Sequence, residues 1–139
     1  MMDSNFYKKI SSEKTPFYVF DIDCVKNRIM YLKKSLPKNV ILCFAMKANP
    51  FIIKEIDSYI DKFEICSYGE EQIAESMNIG HEKMVISGVY KDSYSMDKII
   101  GNYEPGEVIT IESLNQLLLL DKISKQKKVG LRVILRLTS

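Results

Sequence analysis

The side chain with the clearest capacity for covalent chemistry is Lys47, because of the residues around it. Residues 40–46 are seven consecutive apolar residues, and Ala-Asn-Pro follows the lysine. An apolar run of this length that ends in a turn signal is typical of a strand buried on both faces. Alternation along that strand places Cys43 and Ala45 on the face of Lys47. Lys47 is then either a nucleophilic amine at the carboxyl end of a buried strand or a surface charge just beyond it.

The elements that would position Lys47 repeat one pattern along the chain. Apolar runs alternate with segments of helical periodicity, which predicts βαβ units and a parallel sheet. The predicted strands from this point onward cover residues 40–46, 63–66, 83–87, 107–111 and 129–137. A doubly wound sheet and a (β/α)₈ barrel both begin with this alternation, so periodicity does not distinguish between the two folds. The absence of GxGxxG after the first of these strands disfavours a dinucleotide-binding fold.

The segment before this repeat differs in composition. Residues 1–14 are polar and predicted to be flexible, whereas residues 17–21 predict a short opening strand. Asp23 is the expected N-cap of the helix that follows.

Two of the predicted helices carry a clear start signal. Ser67 with Glu70, and Ser113 with Gln116, have the spacing of capping boxes. Each pair follows a predicted strand directly, so each βα loop is expected to be short.

Composition excludes several classes of protein. The 139 residues are 46% apolar and 27% charged, and the net charge is +2. A net charge this small does not indicate the basic surface that binding to nucleic acid requires. No apolar stretch reaches the roughly 18 residues of a membrane span, and the first 14 residues are too polar for a signal peptide. We expect a globular domain that binds neither nucleic acid nor a membrane.

The cysteines and the histidine predict no metal site and no disulfide. Cys24, Cys43 and Cys66 are odd in number and lack CxxC spacing, which is typical of reduced thiols in a cytoplasmic protein. His81 is the only histidine and stands in a Gly-His-Glu-Lys turn, so we expect a surface histidine.

The segment Phe-Ala-Met-Lys-Ala-Asn at residues 44–49 resembles a known motif. It is similar to the Tyr-Ala-x-Lys-Ala-Asn of the fold-type III decarboxylases that use pyridoxal 5′-phosphate (PLP), which act on diaminopimelate, ornithine and arginine. In that family the motif lysine holds the cofactor as an imine, and the resemblance assigns this role to Lys47. It also favours the barrel, of the alanine racemase-like type.

A second segment, residues 63–70, is similar to the family's Asp-x-x-Ser-x-Gly-Glu. The acidic residue of that motif lies beside the cofactor lysine, which makes Glu64 a catalytic and cofactor-site candidate here. Glu64 is one methylene longer than the usual Asp. Glu70 already has a structural role in a capping box.

Two later segments also resemble the family. Residues 86–91 are similar to its Gly-Asn-x-Lys, although only Gly88 and Lys91 match, and we expect Lys91 to be a loop lysine. The last predicted strand resembles the family's Leu-Arg-Val/Ile strand. By this resemblance Arg136 binds oxygens of the cofactor or a nearby carboxylate, while Arg132 forms a structural ion pair.

The resemblance implies the amino-terminal part of a PLP-dependent amino-acid decarboxylase, a carboxy-lyase. Residues 15–139 would be an incomplete barrel, since a whole one takes about 250 residues. Neither the phosphate-binding glycine loop nor the β-domain has a match, so we expect these 139 residues alone to be inactive. The complete form would be a homodimer with a shared active site, and its substrate would be an amino acid, a small molecule. An amino-acid racemase or PLP-carrier relative, disfavoured by the opening strand, remains an alternative. So does a non-catalytic binding protein resembling the antizyme inhibitors.

Overall fold

A single parallel sheet organises the chain, of which the computed structural model describes residues 4–137. Its strands are β1 (Cys43–Ala45), β2 (Lys62–Ile65), β3 (Met84–Ile86), β4 (Val108–Ile111) and β5 (Val133–Leu135). The spatial order is β1-β2-β3-β4-β5, and every pair is parallel. A doubly wound sheet reverses its strand order part-way, whereas this one continues in one direction, as a (β/α) barrel does. The described residues therefore form a partial barrel of five strands, as predicted.

Helices join the strands and cover one side of the sheet. They are α1 (Ser4–Ile10), α2 (Ile22–Ser35), α3 (Ile53–Ile56), α4 (Tyr68–Ser76), α5 (Ser93–Gly101) and α6 (Leu114–Lys127). Short 3₁₀ turns lie at Met46–Ala48, Pro50–Ile52, Asp57–Tyr59 and His81–Lys83. Within residues 4–137, no helix combines the length and the apolar character that crossing a membrane requires.

The serine half of each predicted capping box is present, whereas the Glu70 and Gln116 side chains accept hydrogen bonds from the Cys66 and Glu112 amides, one residue before the cap. The Ser67 hydroxyl accepts a hydrogen bond from the Glu70 amide at 3.2 Å, and the Ser113 hydroxyl accepts one from the Gln116 amide at 3.3 Å. These bonds satisfy amides that have no partner within the first turn of α4 and α6.

The core lies between the sheet and its helices. Ile65, Ile86 and Ile109 occupy neighbouring positions on β2, β3 and β4, and each is at most 1% exposed. The residues that alternate with these isoleucines along each strand, such as Glu64 and Val85, face the opposite side of the sheet. Within residues 4–137, no layer of helices covers that side. The prediction that β1 is buried on both faces is therefore wrong: Cys43 is exposed, as is the whole of β5.

The predicted strands at both edges are too long. The run at residues 40–46 yields only the three residues of β1, and Val40 and Ile41 are exposed. Likewise, residues 129–137 yield only β5. The central strand β3 is also only three residues long, so an apolar run does not give the length of the paired backbone.

The amino-terminal segment also differs from prediction. Residues 17–21 form no strand, because no partner strand lies beside them in the described chain. The N-cap of α2 is Asp21 rather than Asp23; its carboxylate accepts a hydrogen bond from the Cys24 amide at 2.9 Å. Helix α1 occupies part of the segment that was expected to be flexible.

Candidate active site

Lys47 lies at the carboxyl end of β1, in the 3₁₀ turn that follows it. Met46 beside it is fully buried, whereas Lys47 is exposed. The Asn49 side chain accepts a hydrogen bond from the Phe51 amide at 3.2 Å and so fixes the next turn. Within residues 4–137, the Lys47 ammonium forms no hydrogen bond or ion pair. Lys47 thus has an uncommitted amine, meaning one without a hydrogen-bond or ion-pair partner among residues 4–137. The buried Met46 and the hydrogen-bonded Asn49 fix the backbone on either side of it.

Glu64 lies one strand away from Lys47, on the open face of the sheet. It pairs in register with Ala45, the last residue of β1. Its carboxylate accepts a hydrogen bond from the Ser87 hydroxyl at 2.7 Å. No hydrogen bond or ion pair joins Glu64 to Lys47 among the described residues. Their functional pairing stays a prediction.

The thiol of Cys43 shows which face Glu64 occupies. Although Cys43 as a residue is exposed, partial desolvation of its thiol raises the pKa of that thiol, and the negative charge of Glu64 raises it further. The two side chains therefore share the open face, as the alternation along β1 and β2 predicts.

Lys91 is buried, although the sequence suggested an ordinary loop lysine. Its ammonium donates a hydrogen bond to the Gly88 carbonyl and lies 3.4 Å from the Thr110 hydroxyl. Burial lowers the pKa of Lys91, against the opposing effect of the Glu112 carboxylate. The loop reaches this position because Gly88 packs on the end of β2: a Cβ there would lie 2.0 Å from the Cys66 carbonyl oxygen.

Arg136 lies directly after β5 and continues its ladder through a 2.8 Å hydrogen bond from its amide to the Ile111 carbonyl. Its guanidinium is 3.2 Å from the Glu112 carboxylate, in a largely exposed ion pair. Arg132 is exposed, and its predicted ion pair is not present within residues 4–137.

Glu112 is a candidate site residue that sequence reasoning missed. It faces both Lys91 and Arg136, although no motif drew attention to it. A signal was available in the chain itself. Glu112 directly precedes Ser113, the N-cap of α6, and Cys66 directly precedes Ser67, the N-cap of α4. Both residues therefore lie in βα loops at the carboxyl edge of the sheet.

Together these side chains form a polar row along the carboxyl ends of the strands. An uncommitted lysine and a hydrogen-bonded glutamate lie at one end, and two cations around Glu112 lie at the other. Such a row can attach a carbonyl compound covalently and bind anionic groups beside it.

Residues 22–138 match the family described as pyridoxal-dependent decarboxylase, pyridoxal binding domain. This chain belongs to that family. The match confirms the predicted family, its barrel-type fold and its cofactor.

Individual members of this decarboxylase family are similar over nearly the whole chain. The diaminopimelate decarboxylase of Helicobacter pylori is 25% identical over 136 residues, which are 96% of this chain and 33% of that protein. The crystal structure of diaminopimelate decarboxylase from Helicobacter pylori complexed with L-lysine has a TM-score of 0.82 at 23% identity, over 96% of this chain and 34% of that one. The crystal structure of SrLDC in complex with PLP and cadaverine has a TM-score of 0.78 at 22% identity, over 99% of this chain and 35% of that one. This chain spans about a third of the length of these proteins.

The residues present fit the family's cofactor in part. The free amine of Lys47 suits an aldehyde, and the guanidinium of Arg136 suits an anionic oxygen. Glu70 belongs to the scaffold, since its carboxylate accepts a hydrogen bond from the Cys66 amide at 2.8 Å.

Proposed function

We propose that this chain supplies the lysine-bearing half of the active site of a PLP-dependent amino-acid decarboxylase. The observation that carries the proposal is the uncommitted amine of Lys47 at the carboxyl end of β1. In a parallel barrel this edge is where functional groups converge. Lys47 attaches the cofactor through its side-chain nitrogen.

Glu64 is proposed as the acidic neighbour of Lys47. Glu64 on β2 pairs with Ala45 on β1, and Lys47 follows Ala45 by two residues. The Ser87 hydroxyl orients its carboxylate. A carboxylate held in this way can accept a proton from the lysine nitrogen or hold that nitrogen charged.

Arg136 is proposed to bind an anionic oxygen of the cofactor or substrate. Glu112 holds the guanidinium at the carboxyl edge and leaves donors free, because only Nη1 is engaged. Lys91 contributes a second, buried positive charge to the same region.

PLP, when bound, supplies an electron sink for the charge left on the substrate's α-carbon once carbon dioxide has departed. The residues of this chain orient the groups around that carbon. The rest of the barrel, residues that select the amino acid, and a homodimeric partner belong to the complete protein. A cytoplasmic location is proposed because all three cysteines are free thiols.

Reductive trapping tests the role of Lys47. The chain, in a form that completes the barrel, is incubated with PLP, reduced with borohydride and mapped by mass spectrometry. We expect the pyridoxyl group on Lys47. Lys54, an exposed lysine on α3, serves as the matched control and should stay unlabelled. A label on any other lysine, or on none, contradicts the proposal.

A further inference from the structure

Four titratable side chains lie together at the amino-terminal edge of the sheet, away from Lys47. Glu71 and Glu75 come from α4, His81 comes from the 3₁₀ turn that leads into β3, and Glu107 directly precedes β4. Parallel strands put their carboxyl ends on the opposite edge, so this cluster is separate from the proposed active site. The prediction that His81 is a surface histidine is wrong, since its side chain is only 13% exposed.

Glu71 is the unusual member of the cluster. It is 0% exposed, and neither of its carboxylate oxygens has a hydrogen-bond partner within residues 4–137. A buried ionised carboxylate without a partner costs several kcal/mol, on the order of the desolvation penalty of one ion. A cation or a proton must therefore accompany it.

The histidine is oriented as metal-binding histidines are. Its Nδ1 lies 3.2 Å from the carboxylate of the fully buried Glu107, and its Nε2 lies 3.1 Å from the carboxylate of Glu75. When Nδ1–H donates to Glu107, the lone pair of Nε2 faces Glu75. A carboxylate that holds the far ring nitrogen in this way is the usual support of a histidine ligand.

The ligand atoms are close enough to share one ion. One atom each from Glu71, Glu75 and His81 lie within 4.8 Å of one another. Ligands of a tetrahedral Zn²⁺ stand about 3.5 Å apart, given metal–ligand distances of about 2.0–2.2 Å. Small side-chain movements would close the remaining gap.

We propose that Glu71, Glu75 and His81 bind one divalent transition-metal ion, with Glu107 as the residue that orients His81. An imidazole nitrogen with two carboxylates suits Zn²⁺ or a similar ion better than Mg²⁺ or Ca²⁺, which prefer oxygen ligands only. The bound ion neutralises Glu71 and joins α4 to the turn before β3. It is a structural site.

The competing occupant is a proton. Burial, followed by the charges of Glu107 and Glu75, raises the pKa of Glu71 to about 8, while His81 acts in the opposite direction. Without a metal, Glu71 is therefore largely neutral at pH 7. Only a direct measurement of metal binding separates the two occupants.

Titration with Zn²⁺ and Co²⁺ tests the proposal. The chain is prepared without a histidine tag, with Cys24, Cys43 and Cys66 replaced by serine so that thiols cannot bind the ion, and stripped with EDTA. We expect one Zn²⁺ per chain by calorimetry. The absorption of Co²⁺ should indicate nitrogen and oxygen ligands, and it stays readable even if the chain associates.

Four variants define the ligands. His81→Gln and Glu75→Gln should each weaken Zn²⁺ binding more than a hundredfold, and Glu107→Gln should weaken it about 10–100-fold, as loss of a supporting carboxylate does. Glu82→Gln, an exposed neighbour of His81, should leave affinity unchanged. Glu75 is partly exposed, so its variant should fold even if others do not. No binding at millimolar Zn²⁺, or equal affinity in the Glu75 and Glu82 variants, would overturn the proposal.

Discussion

Two groups of charged side chains at opposite edges of the sheet differ: those around Glu64 and Arg136 have partners or reach solvent, whereas Glu71 in the cluster at the other edge does neither among residues 4–137. At the carboxyl edge, Glu64 is bonded to Ser87, Arg136 is paired with Glu112, and Lys47 is exposed. At the amino edge, Glu71 is fully buried, and its carboxylate has no hydrogen-bond partner in the described part of the chain. Charges that remain within reach of solvent can meet an incoming molecule, whereas an unpartnered buried charge requires a resident ion or proton. Changes at the first edge should therefore alter activity, and changes at the second should alter stability.

The largest effect is expected for Lys47→Ala. In a form that completes the barrel, decarboxylation should fall by more than about a thousandfold, as on removal of a covalent catalyst. Stability should change by less than about 0.5 kcal/mol, because the side chain is exposed and has no partner within residues 4–137. Carbon dioxide release and urea unfolding measure the two quantities. A large loss of stability would show that Lys47 has a structural role.

Glu64 should show the next largest effect. Glu64→Gln should lower activity by about tenfold or more, because a neutral amide cannot exchange a proton or pair with a charge. Glu64→Asp should retain activity. Steady-state rates of the two variants, compared with unchanged unfolding curves, test the role. Equal activity in Glu64→Gln would mean that the carboxylate only accepts the Ser87 hydrogen bond.

At the amino edge, Glu71→Leu should raise stability when EDTA is present. A buried polar group without a hydrogen-bond partner costs about 1–3 kcal/mol, and an apolar side chain of similar volume does not carry this cost. Urea unfolding of the purified chain measures the change, and Glu82→Gln is the exposed control. A less stable Glu71→Leu chain would show that the carboxylate has a partner that stabilises it.

The smallest effect is expected for a paired carboxylate at the same edge. Asp61 precedes β2 and accepts hydrogen bonds from the Leu42 amide at 2.7 Å and the Lys33 ammonium at 2.5 Å. Burial acts to raise the pKa of Asp61, but these two donors outweigh it and lower the pKa. The resulting stabilisation is present above the unfolded-state pKa and is lost as pH falls through the folded-state pKa.

Asp61→Asn should therefore cost less than about 1 kcal/mol at pH 7, since the pair with Lys33 is partly exposed. The difference from the parent chain should shrink in acid. Urea unfolding from pH 7 to pH 3 measures it. A difference that is constant across this range would assign the effect to packing instead of charge.

Local signals in the sequence predicted the order of the strands from β1 onward and the starts of α4 and α6, whereas the N-cap of α2 was misplaced and α1 was not predicted. The capping boxes at Ser67 and Ser113 depend on residues only three apart, so the local sequence is sufficient to find them. The lengths of β1 and β5 were overestimated, because the ends of a strand depend on the strands beside it. Lys47 was found through its motif.

The buried charges could not be predicted, because their burial comes from contacts distant in sequence. Lys91 is buried where the loop at Gly88 packs against the end of β2. Glu71 is three residues before Ala74, a fully buried residue on the same face of α4, and this spacing was the one available clue. His81 and Glu107, which form a hydrogen bond, are 26 residues apart in the sequence.

The strand order has a consequence for how the protein is made. Each strand pairs with the one synthesised just before it, so no strand has to wait for a partner encoded far downstream. Each pairing joins residues that lie a whole βα unit apart, such as Cys43 with Lys62 and Ile109 with Val133, so these contacts are non-local and form slowly. The sheet can still grow one βα unit at a time as the chain leaves the ribosome: β1 pairs once β2 has been made, which puts the segment of Lys47 in place before β5 is translated.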